Sequence, residues 1–118
     1  MSRIAYVNGR YLPHGAATVH IEDRGYQFAD GVYEVIAVRG GGLIDGEWHM
    51  ERLQRSLSEL QIAMPMSAAA LYVVLRETVR RNRVSTGIVY LQVSRGVARR
   101  DHPFPNPAVR PALVVTAR

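Results

Sequence analysis

The sequence predicts an α+β domain, a mostly antiparallel sheet with two helices on one face. Three observations predict it. Asn8-Gly9 stands between two short apolar runs, residues 50–60 and 71–79 carry apolar positions at helical spacing, and strand-like segments lie before and after them. Strands, then helices, then strands is the order of a fold whose helices segregate to one side of an antiparallel sheet. A length of 118 residues suits one domain with one core.

Each element has a local reason. Residues 4–7 and 10–12 flank Asn8-Gly9, a pair that tolerates positive φ and closes a hairpin. Residues 14–18 are polar, and residues 22–31 are too glycine-rich and charged for a regular element. Residues 32–39 read as a strand, with Val32, Glu34, Ile36 and Val38 on one face and Tyr33, Val35 and Ala37 on the other. Gly40-Gly41-Gly42 turns the chain and Leu43-Ile44 pairs back. Asp45 is placed to cap a helix whose stripe is Met50, Leu53, Leu57 and Leu60. Pro65 closes the connection, and Ser67 caps a second helix with Leu71, Val74, Leu75 and Val79 inward. Arg80, Arg81 and Arg83 complement the dipole at its C-terminal end. Residues 88–95 form a strand, residues 99–107 a basic, proline-rich loop, and residues 112–117 a final strand. The apolar run Leu113-Val114-Val115 calls for a neighbouring strand. Residues 1–118 are therefore expected to be one domain of a longer protein.

Composition excludes several chemistries. All 15 basic residues are arginine, lysine and cysteine are absent, and the net charge is +5. No side chain can form a Schiff base, no lysine can serve as general base, and disulfides and thiolate metal sites are ruled out. Arginine stays protonated at any working pH, so each positive charge is a permanent anion clamp. No apolar run approaches the roughly 20 residues of a membrane span, and residues 1–8 lack the features of a signal peptide. The expectation is a cytoplasmic protein that does not bind membranes. A pI of about 10.2 admits nucleic-acid binding, but the arginines are dispersed and no nucleic-acid motif is present. His14, His20, His49 and His102 lack metal-ligand spacing, and no phosphate-binding glycine fingerprint occurs.

Three segments carry more polar chemistry than a core needs. Phe28-Ala29-Asp30-Gly31-Val32-Tyr33-Glu34 places Tyr33 and Glu34 at the head of a strand. Tyr33 is either a core tyrosine on an alternating strand or a ligand donor. His49-Met50-Glu51-Arg52-Leu53 sets Arg52 beside the apolar stripe, as a solvated helix arginine or as one that reaches under the domain to an anion. Arg100 and His102 stand two residues apart on the proline-stiffened loop. They form a basic surface loop, or they donate together to one carboxylate.

Read together, these segments resemble the fold-type IV aminotransferases that use pyridoxal phosphate, and the D-amino-acid transaminase branch most closely. The likeness is carried by Glu22-Asp23-Arg24-Gly25-Tyr26-Gln27-Phe28-Ala29-Asp30-Gly31-Val32-Tyr33-Glu34-Val35, by His49-Met50-Glu51-Arg52-Leu53, by residues 87–96 and by Arg100-Asp101-His102-Pro103-Phe104-Pro105, in that order. The resemblance implies that the chain is the N-terminal small domain of a two-domain enzyme. That enzyme would move an amino group from a D-amino acid to a 2-oxo acid. Arg52 would bind the cofactor phosphate, and Tyr33, Arg100 and His102 would hold the substrate α-carboxylate. In this family the arginine and histidine come across a homodimer interface. Glu34 is expected to orient His102. No catalytic residue lies in the fragment, since the Schiff-base lysine belongs to the absent C-terminal domain, so the isolated chain is expected to be inactive and to bind cofactor weakly. The rivals are branched-chain aminotransferase, aminodeoxychorismate lyase and R-selective amine transaminase, and, more distantly, a non-enzymatic basic binding domain. Two positions depart from the family pattern. Ala29 stands where glycine is usual, and Asp101 lies between Arg100 and His102, where it could pair with Arg99 or Arg100.

Overall fold

The structure, a computed structural model, describes residues 3–118. Six strands form one sheet: β1 (Ile4–Val7), β2 (Arg10–Pro13), β3 (Gly31–Arg39), β4 (Gly42–Leu43), β5 (Thr86–Ser94) and β6 (Ala112–Ala117). Their spatial order is β2-β1-β6-β5-β3-β4, and every pair is antiparallel. Three α-helices accompany them among the described residues, α1 (Arg24–Phe28), α2 (Gly46–Glu59) and α3 (Ala68–Arg81), with one 3-10 turn at His14–Ala16.

The register puts one apolar face under α2 and α3. Ile36 pairs with Val89, Val32 with Val93, Leu91 with Val115 and Val93 with Leu113, so these side chains share a face. Met50, Leu53 and Leu57 of α2 and Leu71, Leu75 and Val79 of α3 close over them in one buried cluster. Asn82, just past α3, ties that layer to β1. Its Nδ2 donates to the Ile4 carbonyl at 2.9 Å, and its Oδ1 accepts from the Ile4 amide at 2.9 Å. The other face is not covered by α2 or α3: the short α1 meets it only at one end, where Gly25 lies against Ser94 and Gln92, and Tyr33 and Val35 stand exposed there.

The hairpin turns at Asn8 (φ 48°) and Gly9 (φ 97°) as the sequence predicts. Ser67 caps α3 through its hydroxyl, which accepts from the Ala70 amide at 3.1 Å. Four expectations change. Residues 24–28 form a helical turn after all, because the Asp23 carboxylate accepts from the Gly25 amide at 2.8 Å and nucleates it. Asp45 sits at the cap of α2 in a left-handed conformation, but its side chain makes no capping bond. Leu60 falls just beyond α2 and is exposed, so the buried stripe ends at Leu57. The apolar β6 is an interior strand flanked by β1 and β5, so it finds both neighbours within the chain.

Ala29 ends α1 with φ 53° and ψ 32°, a left-handed conformation that costs a residue with a β-carbon about 1 kcal/mol or more. Ala29→Gly is therefore expected to raise stability by about 1 kcal/mol, read as a higher urea midpoint with an unchanged slope.

Candidate functional site

Glu34 lies on the helix-covered face of β3 and is only 4% exposed. A buried carboxylate needs partners, and α2 supplies two from adjacent turns, His49 and Arg52. Arg52 donates from Nε to Glu34 Oε2 and from Nη2 to Oε1, both at 2.9 Å. His49 Nδ1 lies 2.6 Å from Glu34 Oε1. Burial alone would push the Glu34 carboxyl up, but the hydrogen bonds and charges of Arg52 and His49 outweigh it and hold the group below the usual carboxylate range. Both carboxylate oxygens are thereby committed to α2. Glu34 orients Arg52 and His49, not His102 as the sequence reading expected.

Arg52 itself is fixed but not spent. Its guanidinium lies 4.7 Å from the centroid of the Trp48 ring and its side chain is 42% exposed. Among the described residues Nη1 has no hydrogen-bond partner. It does not reach under the domain. A planar donor set held on one side by Glu34 and open on the other suits a phosphate, which is the group the resemblance assigns to it.

A second arginine-rich cluster lies at the start of β3. Asp30 Oδ2 accepts from Arg24 Nε at 2.8 Å and from Arg95 Nε at 2.7 Å. Arg24 and Arg95 are 3% and 8% exposed. Burial would raise the Asp30 carboxyl, but the hydrogen bonds and charges of Arg95 and Arg24 more than offset that and leave it lowered. Arg95 also donates to the Gln61 and Leu60 carbonyls at 3.1 and 2.8 Å, which anchors the end of α2. Arg24 donates to the Asp101 carbonyl at 2.7 Å and to the His102 carbonyl at 3.4 Å.

Arg100 and His102 are exposed and converge on one ring. The Arg100 guanidinium lies 5.1 Å from the Phe28 centroid and the His102 ring 5.6 Å from it. Asp101 forms no ion pair with Arg99 or Arg100 among the described residues, so the feared neutralisation of Arg100 does not occur. Tyr33 is not a core tyrosine. It is 65% exposed on the open face, stacked 5.8 Å from Tyr90. It borders a hollow of about 180 Å³ lined by Gly25, Ala29, Gly31, Val32 and Gln92. A roomier hollow of about 450 Å³, beside Tyr6, Pro65 and Val109, contains none of the predicted site residues. The chain thus brings Arg100 and His102 together, and no hydrogen bond joins either side chain to Tyr33 among the described residues. Among the described residues no strand lies beside β3 from Gly31 to Ala37 on the side away from β5, since β4 pairs only with Val38 and Arg39. Among the described residues no group of three or more His, Asp or Glu is placed to hold a metal.

The amino-transferase class IV family model matches residues 31–118. The chain belongs to the class IV aminotransferases. A D-alanine aminotransferase from Staphylococcus haemolyticus is 40% identical over 113 residues, covering 96% of this chain and 40% of that protein. Among solved structures, 4-amino-4-deoxychorismate lyase from Pseudomonas aeruginosa is 28% identical with a TM-score of 0.75, over 97% of this chain and 39% of that one. The T.th. branched-chain amino acid aminotransferase, complexed with N-(5'-phosphopyridoxyl)-L-glutamate, shares the fold at a TM-score of 0.86 and 20% identity, over 99% of this chain and 40% of that one. The chain spans about 40% of the length of the curated relatives it matches.

Sequence reasoning gave no role to Arg24, Asp30, Arg95 or His49, although each stands within a quoted motif. Nothing local marks Arg24 and Arg95 as buried. Their shared partner Asp30 is the one signal, a carboxylate between arginines that must be neutralised if any of them goes inside.

Asp30 gives the site a defined acid response. A carboxyl lowered from its ordinary value of 3.8 stabilises the fold fully above that value, and the contribution is lost as pH falls through the lowered one. Asp30→Asn is expected to cost about 3 kcal/mol at neutral pH. In urea titrations against pH, the gap between wild type and variant should stay constant above about pH 5 and shrink below about pH 4.

Proposed function

We propose that this chain is the N-terminal, substrate-binding domain of a pyridoxal-phosphate-dependent aminotransferase that moves an amino group from a D-amino acid, such as D-alanine, to a 2-oxo acid. The observation that carries the reading is a pair of separately built cationic stations. One is Arg52, held by Glu34 with Nη1 free, and the other is the Arg100–His102 pair gathered around Phe28. An amino acid joined to this cofactor presents two anionic groups, a phosphate and an α-carboxylate, and needs two such stations. The 40% identity to a D-alanine aminotransferase supports the choice of substrate.

In this reading Arg52 takes the phosphate through its free donors. Arg100 supplies charge to the carboxylate, and His102 and the Tyr33 hydroxyl add directional donors. Tyr33 lacks a partner from its own loop, so a second copy of the chain delivers Arg100 and His102 to it and the site is shared by a homodimer. The cofactor supplies the electron sink that lets the substrate's α-proton leave. The lysine-free chain positions the substrate and removes no proton. Where the carboxylate is pinned decides which enantiomer presents its α-hydrogen to the base, so these residues set the chiral preference.

The test uses the aminotransferase that carries this chain, with D-alanine, L-leucine and aminodeoxychorismate as separate substrates. Turnover of D-alanine is expected, and turnover of L-leucine without D-alanine overturns the substrate choice. Arg100→Ala is expected to raise KM for D-alanine at least about tenfold and to leave simple amines unaffected. Equal effects on both would remove the carboxylate role.

A further inference from the structure

The loop that carries Arg100 and His102 takes its hydrogen bonds from one side chain among the described residues. From Arg99 to Pro111 no backbone group bonds to another backbone group among the described residues. The hydrogen bonds this segment receives are those from Arg24, to the carbonyls of Asp101 and His102. Arg24 is 3% exposed and springs from α1, whose start is fixed by the Asp23 cap and by the Arg24 amide bonding to the Gly96 carbonyl at 2.9 Å. Its Nε is locked on Asp30 at 2.8 Å, which orients the rest of the fork toward the loop. Phe28, four residues on along α1, lies 4.7 Å from the Arg24 guanidinium and is the same ring that Arg100 and His102 approach. Arg95, the other arginine on Asp30, lies 3.6 Å from the Phe104 centroid and braces the far end of the segment.

A backbone carbonyl on each of two consecutive residues, held by one rigid fork, fixes the peptide planes that join Asp101 to His102 and His102 to Pro103. Those planes flank the His102 Cα and fix the direction in which its side chain leaves the backbone, and they anchor the chain one residue beyond Arg100. Two guanidiniums against one carboxylate also leave net positive charge beneath the loop, which favours an anionic ligand above it.

We propose that Arg24 is a positioning residue for the substrate carboxylate, acting through the backbone of Asp101 and His102 rather than by touching substrate. The inference rests on the carboxylate role given above to Arg100 and His102. Placement errors of this kind weaken binding of the group being positioned more than they disturb the chemistry elsewhere.

The experiment compares Arg24→Gln and Arg24→Lys with Arg100→Ala in the intact aminotransferase. Arg24→Gln leaves Asp30 neutralised by Arg95, and Arg24→Lys keeps the charge but loses the fork, so one reports if the other fails to fold. Both are expected to raise KM for D-alanine about tenfold while kcat changes less than about threefold. The absorbance of bound cofactor should be unchanged. A merely structural Arg24 would lower kcat and cofactor occupancy together, or move only the melting temperature, and either result overturns the inference. If Arg100→Ala raises KM and neither Arg24 variant does, the positioning role fails and the carboxylate site stands. If Arg100→Ala leaves KM unchanged, both fail.

Discussion

The rest of the site depends on one carboxylate shared by two buried guanidiniums. Asp30 accepts from Arg24 and Arg95, residues that come from opposite ends of the chain. A guanidinium cannot be buried without a hydrogen-bonded counter-charge, and removing the counter-charge costs several kcal/mol. Through Asp30 the beginning of β3 is joined to the end of α2, the end of β5 and the long loop before β6. The end of α2 and the long loop, which no sheet bond connects to β3, are thereby held in one arrangement with it.

Glu34 applies the same physics a few residues further along β3, to a different end. Its two partners on α2 satisfy it, and in return it holds Arg52 by two donors while leaving a third open. The contrast is Glu77, which bonds Arg80 and Arg81 on the surface of α3 and is pulled down to about 2 by them. Those side chains are exposed and screened, and such pairs contribute little to folding. Three clusters of arginine and carboxylate look alike in the sequence, and burial alone separates the two that build a site from the one that decorates a helix.

That distinction marks the limit of what could be read from the sequence. The hairpin at Asn8-Gly9, the alternation of β3, the cap at Ser67 and the inward residues of α3 were legible because their causes lie within a few residues of each other. The family was legible because the motifs around Tyr33, Arg52 and Arg100 occur in order. The partner of Glu34 was misread, since α2 returns over β3 only in three dimensions. Asp101 looked like a threat to Arg100, yet its carbonyl, not its carboxylate, is what the fold uses. The turn at residues 24–28 was hidden because its stabilising bonds come from a cap and from a buried arginine, not from a hydrophobic stripe. Likewise β6 read as a strand in need of a neighbour, and it gained two only once the chain had folded back on itself.

The absence of lysine acquires its meaning here. In the proposed reading the chain builds cationic stations for two anionic groups, and without lysine it offers no side-chain amine to act between them. It keeps Tyr33 without a partner from its own loop, so the proposed site is completed by a second copy. The most direct measurement is complementation between two impaired variants of the intact aminotransferase, Arg52→Ala and Arg100→Ala, dissociated, reassembled together and assayed at D-alanine well below the wild-type KM. If Arg52 of one subunit works with Arg100 of the other, half of the dimers formed are hybrids and half of their sites are whole, so activity should return to about a quarter of wild type. If both arginines serve one site within a single subunit, every site in the mixture carries a defect, activity stays at the level of the separate variants, and the account of a shared site is wrong.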